Sequence, residues 1–245
     1  MTSRIFSAFF CFLITCSLAR AEPAQIPPEQ RQAVEAIIHD YLLSHPDVVV
    51  QALNDAEKKL RREAQDNARQ ALAAHRGDIL DDPTTPVGGN PNGDVTIVEF
   101  FDYRCPYCKA VEPSLEQLLA RDHGLRFSYK EFPVLGTESV VAARAALAAN
   151  LQGKYEAFHN AMMAIKGSFD EAKIYEVADS VGLDLSRLKR DMAAPQITAE
   201  LKANFDLAHA LGAHGTPTFI IGQEIIPGAI DGATLDHLIA TARKQ

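Results

Sequence analysis

Cys105 and Cys108, which enclose Pro106 and Tyr107, are the residues of this 245-residue chain best suited to chemistry. A Cys-x-x-Cys pair can form a reversible disulfide, supply half of a zinc site, or hold Cu(I) between two thiolates. Zinc would need two further ligands. The remaining cysteines, Cys11 and Cys16, lie in an N-terminal apolar stretch read as a removable leader. A disulfide between Cys105 and Cys108 closes so short a loop that it constrains little of the unfolded chain. Redox exchange therefore explains the pair better than stapling does. In exchange, one sulfur forms a mixed disulfide with a substrate and the second resolves it, or the substrate's own second thiol does.

The surrounding elements place the pair for that work. Val95-Thr96-Ile97-Val98-Glu99-Phe100-Phe101 is an apolar, β-rich run typical of a buried strand. Asp102-Tyr103-Arg104 turns the chain, and Val111, Leu115, Leu118 and Leu119 then recur at helical spacing up to Gly124. Leu125 to Phe132 reads as the next strand. This β–α–β order calls for parallel pairing. Cys105 then falls at the helix N-terminus, where unpaired N–H groups and the dipole favour an anion. A thiolate is such an anion, which makes Cys105 the nucleophile. Cys108, one turn further in, is expected to be less exposed and to resolve the mixed disulfide.

Residues 137–212 read as helical throughout, with Asp170 as a cap for a helix reaching Val181. Thr218–Ile221 reads as a short strand, Gly222-Gln223 as a turn, and Glu224 to Pro227 as its partner strand. A last amphipathic helix spans 231–243. The expected fold is α/β.

Ahead of this domain, Asp81 to Asp94 is rich in Pro, Gly, Asn and Thr and reads as a linker. Residues 22–85 read as a helical arm, in which Val49, Leu53, Ala56 and Leu60 form a heptad-like stripe. So few large apolar side chains cannot build a core alone. The stripe must face either the main domain or another copy of the chain. Residues 1–21 combine Arg4, an apolar stretch and Ala19-Arg20-Ala21, the pattern of a cleaved export signal. Loss of Arg4 and Arg20 with that segment takes the net charge from −8 to −10. That sign argues against non-specific nucleic-acid binding.

The strand–Cys-Pro-Tyr-Cys–helix unit, together with Gly215-Thr216-Pro217-Thr218-Phe219, resembles the DsbA-like branch of the thioredoxin superfamily. The resemblance covers roughly residues 90–243, within a domain taken as 86–245. It implies a thioredoxin fold with a helical insertion at about 137–212 and an N-terminal helical arm. It implies a cis-proline at Pro217, preceded by Thr216, whose flanking backbone groups are free to pair with an extended substrate. It also implies a buried acid at Glu99 that moves protons at the second cysteine, with Lys130 as its basic partner. No cofactor or metal is implied beyond the redox-active Cys105–Cys108 disulfide.

The arm is similar to N-terminal extensions of the suppressor-of-copper-sensitivity C proteins, which implies a trimer through residues 22–85. By the same resemblance the chain is periplasmic, acts on protein thiols and disulfides and is served by a membrane redox partner. Copper binding or relay by the same cysteines is the competing function. His214 stands two residues before Thr216 and could tune the sulfur. His39, His45, His75, His123, His159, His209 and His237 lack ligand spacing and read as surface or core-edge residues.

Overall fold

The computed structural model describes residues 27–167 and 169–244, so the leader expected over 1–21 lies outside the described residues. The chain divides into two compact units, residues 1–58 and 59–245.

In the first unit, helix α1 (Pro28–Ser44) starts with proline in its first turn, where no N–H partner is lost. Helix α2 starts at Pro46 and runs to Ala74. Neither helix buries a residue. Ile37, Leu43 and Leu53 are each about two-thirds exposed.

The second unit is built on a five-stranded sheet of order β1-β3-β2-β4-β5. Strands β2 (Val95–Phe101) and β3 (Leu125–Glu131) pair in parallel across helix α4 (Pro106–Arg121), as the β–α–β pattern requires. Strands β4 (Thr218–Ile221) and β5 (Glu224–Pro227) complete that side as an antiparallel hairpin. On the other edge β1 (Val87–Gly89) pairs antiparallel with β3, inside the segment expected to be a linker. Its glycines conceal it: a Cβ at Gly88 would lie 2.7 Å from the Tyr129 hydroxyl, so close approach replaces the usual β-branched signal.

The second unit also starts earlier than the expected boundary at 86. Ile79 of helix α3 (Arg76–Leu80) is buried in its core, and Ala71 and Leu72 from the end of α2, with Leu80, pack against that core while only partly buried. Helices α5 (Thr137–Asn150), α6 (Tyr155–Met163), α7 (Glu171–Ser180), α8 (Leu185–Met192) and α9 (Pro195–Ala210) form the insertion. The Asp170 carboxylate accepts from Lys173 N at 2.8 Å and caps α7. Helix α10 (Gly232–Ala242) closes the chain and is capped the same way by Asp231.

Because side chains alternate along a strand, the sheet has two distinct faces. Ile97, Phe101, Phe127, Tyr129 and Phe219 face a core shared with α4 and the insertion. Val98, Phe100, Phe132 and Ile220 face a second core with Ile79, Leu207 and Leu211.

Candidate active site

Cys105 is the N-cap of α4, with extended backbone (φ −72°, ψ 118°) and Pro106 at the first helical position. Its N–H donates to the Asp102 carbonyl at 3.0 Å, and its own carbonyl receives Lys109 N at 3.2 Å. The sulfur therefore sits at the positive end of a 16-residue helix. Both cysteines are thiols here and both are buried, Cys105 at 3% exposure and Cys108 at 0%. Exposure separates them only slightly, in the expected direction. Their surroundings differ more. Burial, followed by the neighbouring Glu99 carboxyl, pushes the Cys108 thiol far above the ordinary range. Tyr107, between them, is 64% exposed and stands at the rim.

The loop before β4 meets this sulfur. The Thr216–Pro217 bond is cis, and the Cys105 thiol donates to the Thr216 carbonyl at 3.2 Å. The Pro217 carbonyl is occupied by Gly228 N at 2.8 Å, so of the two carbonyls of this step only that of Thr216 faces the sulfur. His214 is exposed, and its ring lies 6.3 Å from that of His209.

Glu99 lies on the face of β2 turned towards α4, level with Tyr129 and Phe219. It is fully buried, and neither carboxyl oxygen has a hydrogen-bond partner among the described residues. Burial raises its pKa well above the usual carboxylate range, and the charges of Glu112, Cys105 and Glu131 add to that.

Lys130 is not its partner. The register sets Glu99 opposite Tyr129 and Lys130 opposite Phe100, so the two side chains leave opposite faces of the sheet. The Lys130 ammonium, 1% exposed, donates to Asp82 at 2.9 Å and to the Thr85 hydroxyl. The expected Glu99–Lys130 pair is thus replaced by a Lys130–Asp82 pair on the far face.

The acid of β3 that shares the Glu99 face is Glu131. It accepts from Tyr103 Oη at 3.0 Å and from Tyr155 Oη at 2.7 Å. Tyr103 Oη also lies 3.1 Å from Nδ1 of His159, which is wholly buried rather than at a core edge. Nε2 of the same ring is 3.4 Å from Glu112 Oε1 but makes no hydrogen bond among the described residues. None of these residues was singled out from the sequence. For Glu112 a signal existed: it follows Cys108 by four, which puts it on the same buried helix face. Asp102 was read only as part of a turn. Its buried carboxylate accepts from Arg104 N, Val134 N, Leu135 N and Ser139 Oγ at 2.8–2.9 Å, fastening the cysteine turn to the β3–α5 loop.

Comparison with known proteins agrees with this geometry. Residues 96–240 match the family of DSBA-like thioredoxin domains, and residues 30–63 match the copper resistance protein ScsC N-terminal domain. A thioredoxin-like oxidoreductase from Silicibacter pomeroyi is 46% identical, covering 69% of this chain and 98% of its own, with a TM-score of 0.68. The thiol-disulfide exchange protein alpha-DsbA2 from Wolbachia pipientis is 30% identical over 72% of this chain and 96% of its own, at a TM-score of 0.68. A linker-deletion mutant of Proteus mirabilis ScsC is 26% identical over 90% and 98%, at 0.69.

The chain spans about a quarter of the length of the curated relatives it matches. One is a Na(+)/H(+) antiporter of Salinispora arenicola, 29% identical over 71% of this chain and 28% of its own length. Among the described residues no helix is long and apolar enough to cross a membrane. On the match over residues 96–240, the chain belongs to the DsbA-like thioredoxin-domain family of thiol–disulfide oxidoreductases, with an ScsC-type N-terminal domain ahead of it.

Proposed function

We propose that this chain is an exported, periplasmic enzyme that exchanges disulfides with protein substrates through Cys105 and Cys108. The observation that carries the reading is the Cys105 sulfur. It caps α4 and meets the Thr216 carbonyl at 3.2 Å, with Cys108 one turn deeper and Glu99 beside it. In the reducing direction the Cys105 thiolate attacks a substrate disulfide. One substrate sulfur leaves as thiolate and a mixed disulfide forms. Glu99, in its ionised form, takes the proton of Cys108. The Cys108 thiolate then attacks Cys105, and the second substrate sulfur departs with the electron pair. The enzyme leaves as the Cys105–Cys108 disulfide, which a membrane redox partner reduces again.

The exposed stripe of α1 and α2 supports assembly of copies through the arm. Ile37, Leu43 and Leu53 are uncovered, and the matching N-terminal family covers residues 30–63. Several sites facing one substrate space suit isomerisation, since one sulfur can hold a substrate while it rearranges. The test is refolding of a scrambled, disulfide-rich protein by the full chain. Rescue of activity that disappears in Cys105→Ser supports the reading. Equal rescue by that variant removes it. Light scattering checks the arm, because a monomer at working concentration ends the assembly proposal.

A second reading is favoured by the copper-resistance description of that N-terminal family. Cu(I) needs only two thiolates, and Cys105 and Cys108 supply them. Tight Cu(I) uptake by a chain inactive in exchange would select it.

A further inference from the structure

A cavity of about 830 Å³ lies against the far face of the sheet, a volume typical of small-molecule sites. Its apolar lining includes Leu72 from the end of α2, Ile79 from α3, Val98 from β2 and Ile220 from β4. Three arginines from three elements line it as well: Arg69 of α2, Arg76 of α3 and Arg126 of β3. In a chain of net charge −8, so basic a cavity runs against the overall balance.

Arg126 is the deepest of the three. Its register partner is Thr96, and strand alternation puts both on the far face with Val98. Gly93 lets the preceding loop lie directly on this point of β3, since a Cβ there would be 2.5 Å from Arg126 N. Arg69 and Arg76 are exposed, whereas Arg126 is half-buried. Its Nη1 is sealed from solvent and has no hydrogen-bond partner among the described residues. A buried carboxyl can escape such a position by keeping its proton, but arginine is not deprotonated in proteins. A charge held there calls for an anion.

The acids that line the cavity do not supply it. Asp94 has its two oxygens on Arg243, at 2.9 and 3.0 Å. Asp81, beyond the end of α3, is exposed, and Arg126 Nη1 stays unpaired. Arg69 has Asp66 at 3.9 Å, an exposed pair of little strength. Three guanidinium charges thus line the cavity with two carboxylates, one of them already neutralised by Arg243.

Guanidinium forks match the oxygens of carboxylates and phosphates in pairs, and a phosphate ester carries nearly two charges at neutral pH. We propose that this cavity binds a small organic phosphate, its phosphoryl oxygens on Arg126, its remaining charge balanced by Arg69 and Arg76 at the rim, and its apolar body against Leu72, Ile79 and Ile220. Cys105 belongs to the core on the other face of the sheet, so the site is independent of the exchange function proposed above.

The test is calorimetric titration of the full chain with phenyl phosphate, using phenol and benzoate as the neutral and singly charged comparisons. Phenyl phosphate should saturate one site with a Kd below about 1 mM. Benzoate should bind about tenfold more weakly, and phenol should give no saturable heat. Arg126→Met should weaken phenyl phosphate about tenfold or more. Salt at about 0.5 M should weaken it as well, because the rim charges are open to screening. Cys105→Ser should bind as wild type does. The inference is overturned by absence of saturable binding, by benzoate or phenol binding as tightly, by an unchanged Kd in Arg126→Met, or by loss of binding in Cys105→Ser.

Should Arg126→Met not fold, amide NMR of the wild type decides. Saturating shifts at Thr96, Arg126 and Gln223 are expected. Shifts confined to the cysteine turn, or none, overturn the inference.

Discussion

Glu99 and Lys130 stand on neighbouring strands, both sealed from solvent, and the sheet treats them in opposite ways. Lys130 leaves the far face and finds an ion-pair partner in Asp82 and a hydroxyl acceptor in Thr85. Glu99 leaves the near face and finds no hydrogen-bond partner among the described residues. A buried charge that is paired and hydrogen-bonded is what folding tolerates, and an orphaned carboxyl is what it ordinarily removes. The far-face pair therefore serves the fold. The near-face acid costs stability and neighbours the buried Cys108 thiol. On the proposed exchange reading, Glu99 goes with the chemistry and Lys130 with the scaffold.

The largest expected effect tests the scaffold half. Lys130→Met leaves Asp82 without its ammonium. Asp82 is held below the usual carboxylate range against its own burial, by hydrogen bonds from Lys130, Thr84 and Thr85. Loss of one partner of such a pair should cost about 3 kcal/mol in urea unfolding. Exchange per folded molecule should stay within about twofold of wild type. A loss of exchange without a loss of stability would make Lys130 a functional residue after all and break the comparison.

Glu99→Gln tests the other half, with opposite signs. Release of a thiol from Cys105 by Cys108 should slow about 10²-fold, the usual contribution of a positioned base. Stability should rise. Glu99 has a folded pKa above its unfolded value because burial disfavours its charge. Its contribution is therefore complete below the unfolded pKa of about 4.3 and is lost as the pH climbs above it. The amide has no such loss, so the variant should match wild type near pH 4 and exceed it by about 1–3 kcal/mol at pH 7. Equal urea midpoints at both pH values would show that Glu99 is stabilised by something the geometry does not contain.

The same comparison shows what the sequence could and could not tell. The β–α–β unit, the position of Cys105 at a helix tip and the helical insertion were legible because period and caps are local properties. The Asp170 cap needed no tertiary information. The Glu99–Lys130 pairing failed because facing is decided by register between strands, and a one-residue offset exchanges the two faces. Strand β1 escaped because its Gly88 is selected by contact with Tyr129 rather than by strand propensity. His159 was misplaced for a related reason. An isolated histidine on a helix carries no sign of the aromatic rings that will surround it, and those come from β2, β3 and the turn before α4.

Glu200 gives the smallest effect and the sharpest view of the far face. It lies on α9 beside Asp82 and Lys130, bordering a cavity of about 590 Å³. Burial, and then the negative charge of Asp82, push its pKa up to about 7, with Lys130 opposing. A second acid at the lysine is therefore in excess: Asp82 holds the ammonium, and Glu200 keeps its proton until neutrality. Since the folded value exceeds the unfolded one, folding takes up a proton between about pH 4.3 and pH 7, and stability falls across that window. Glu200→Gln should flatten the fall. The variant should equal wild type at pH 4 and exceed it by about 1 kcal/mol at pH 8, the full linkage being reduced because Glu200 is only partly shielded from solvent. If the variant is instead weaker at pH 8, Lys130 draws on both carboxylates. The far face would then be a charge triad, and Lys130→Met should cost correspondingly less, because two acids left together can share a proton.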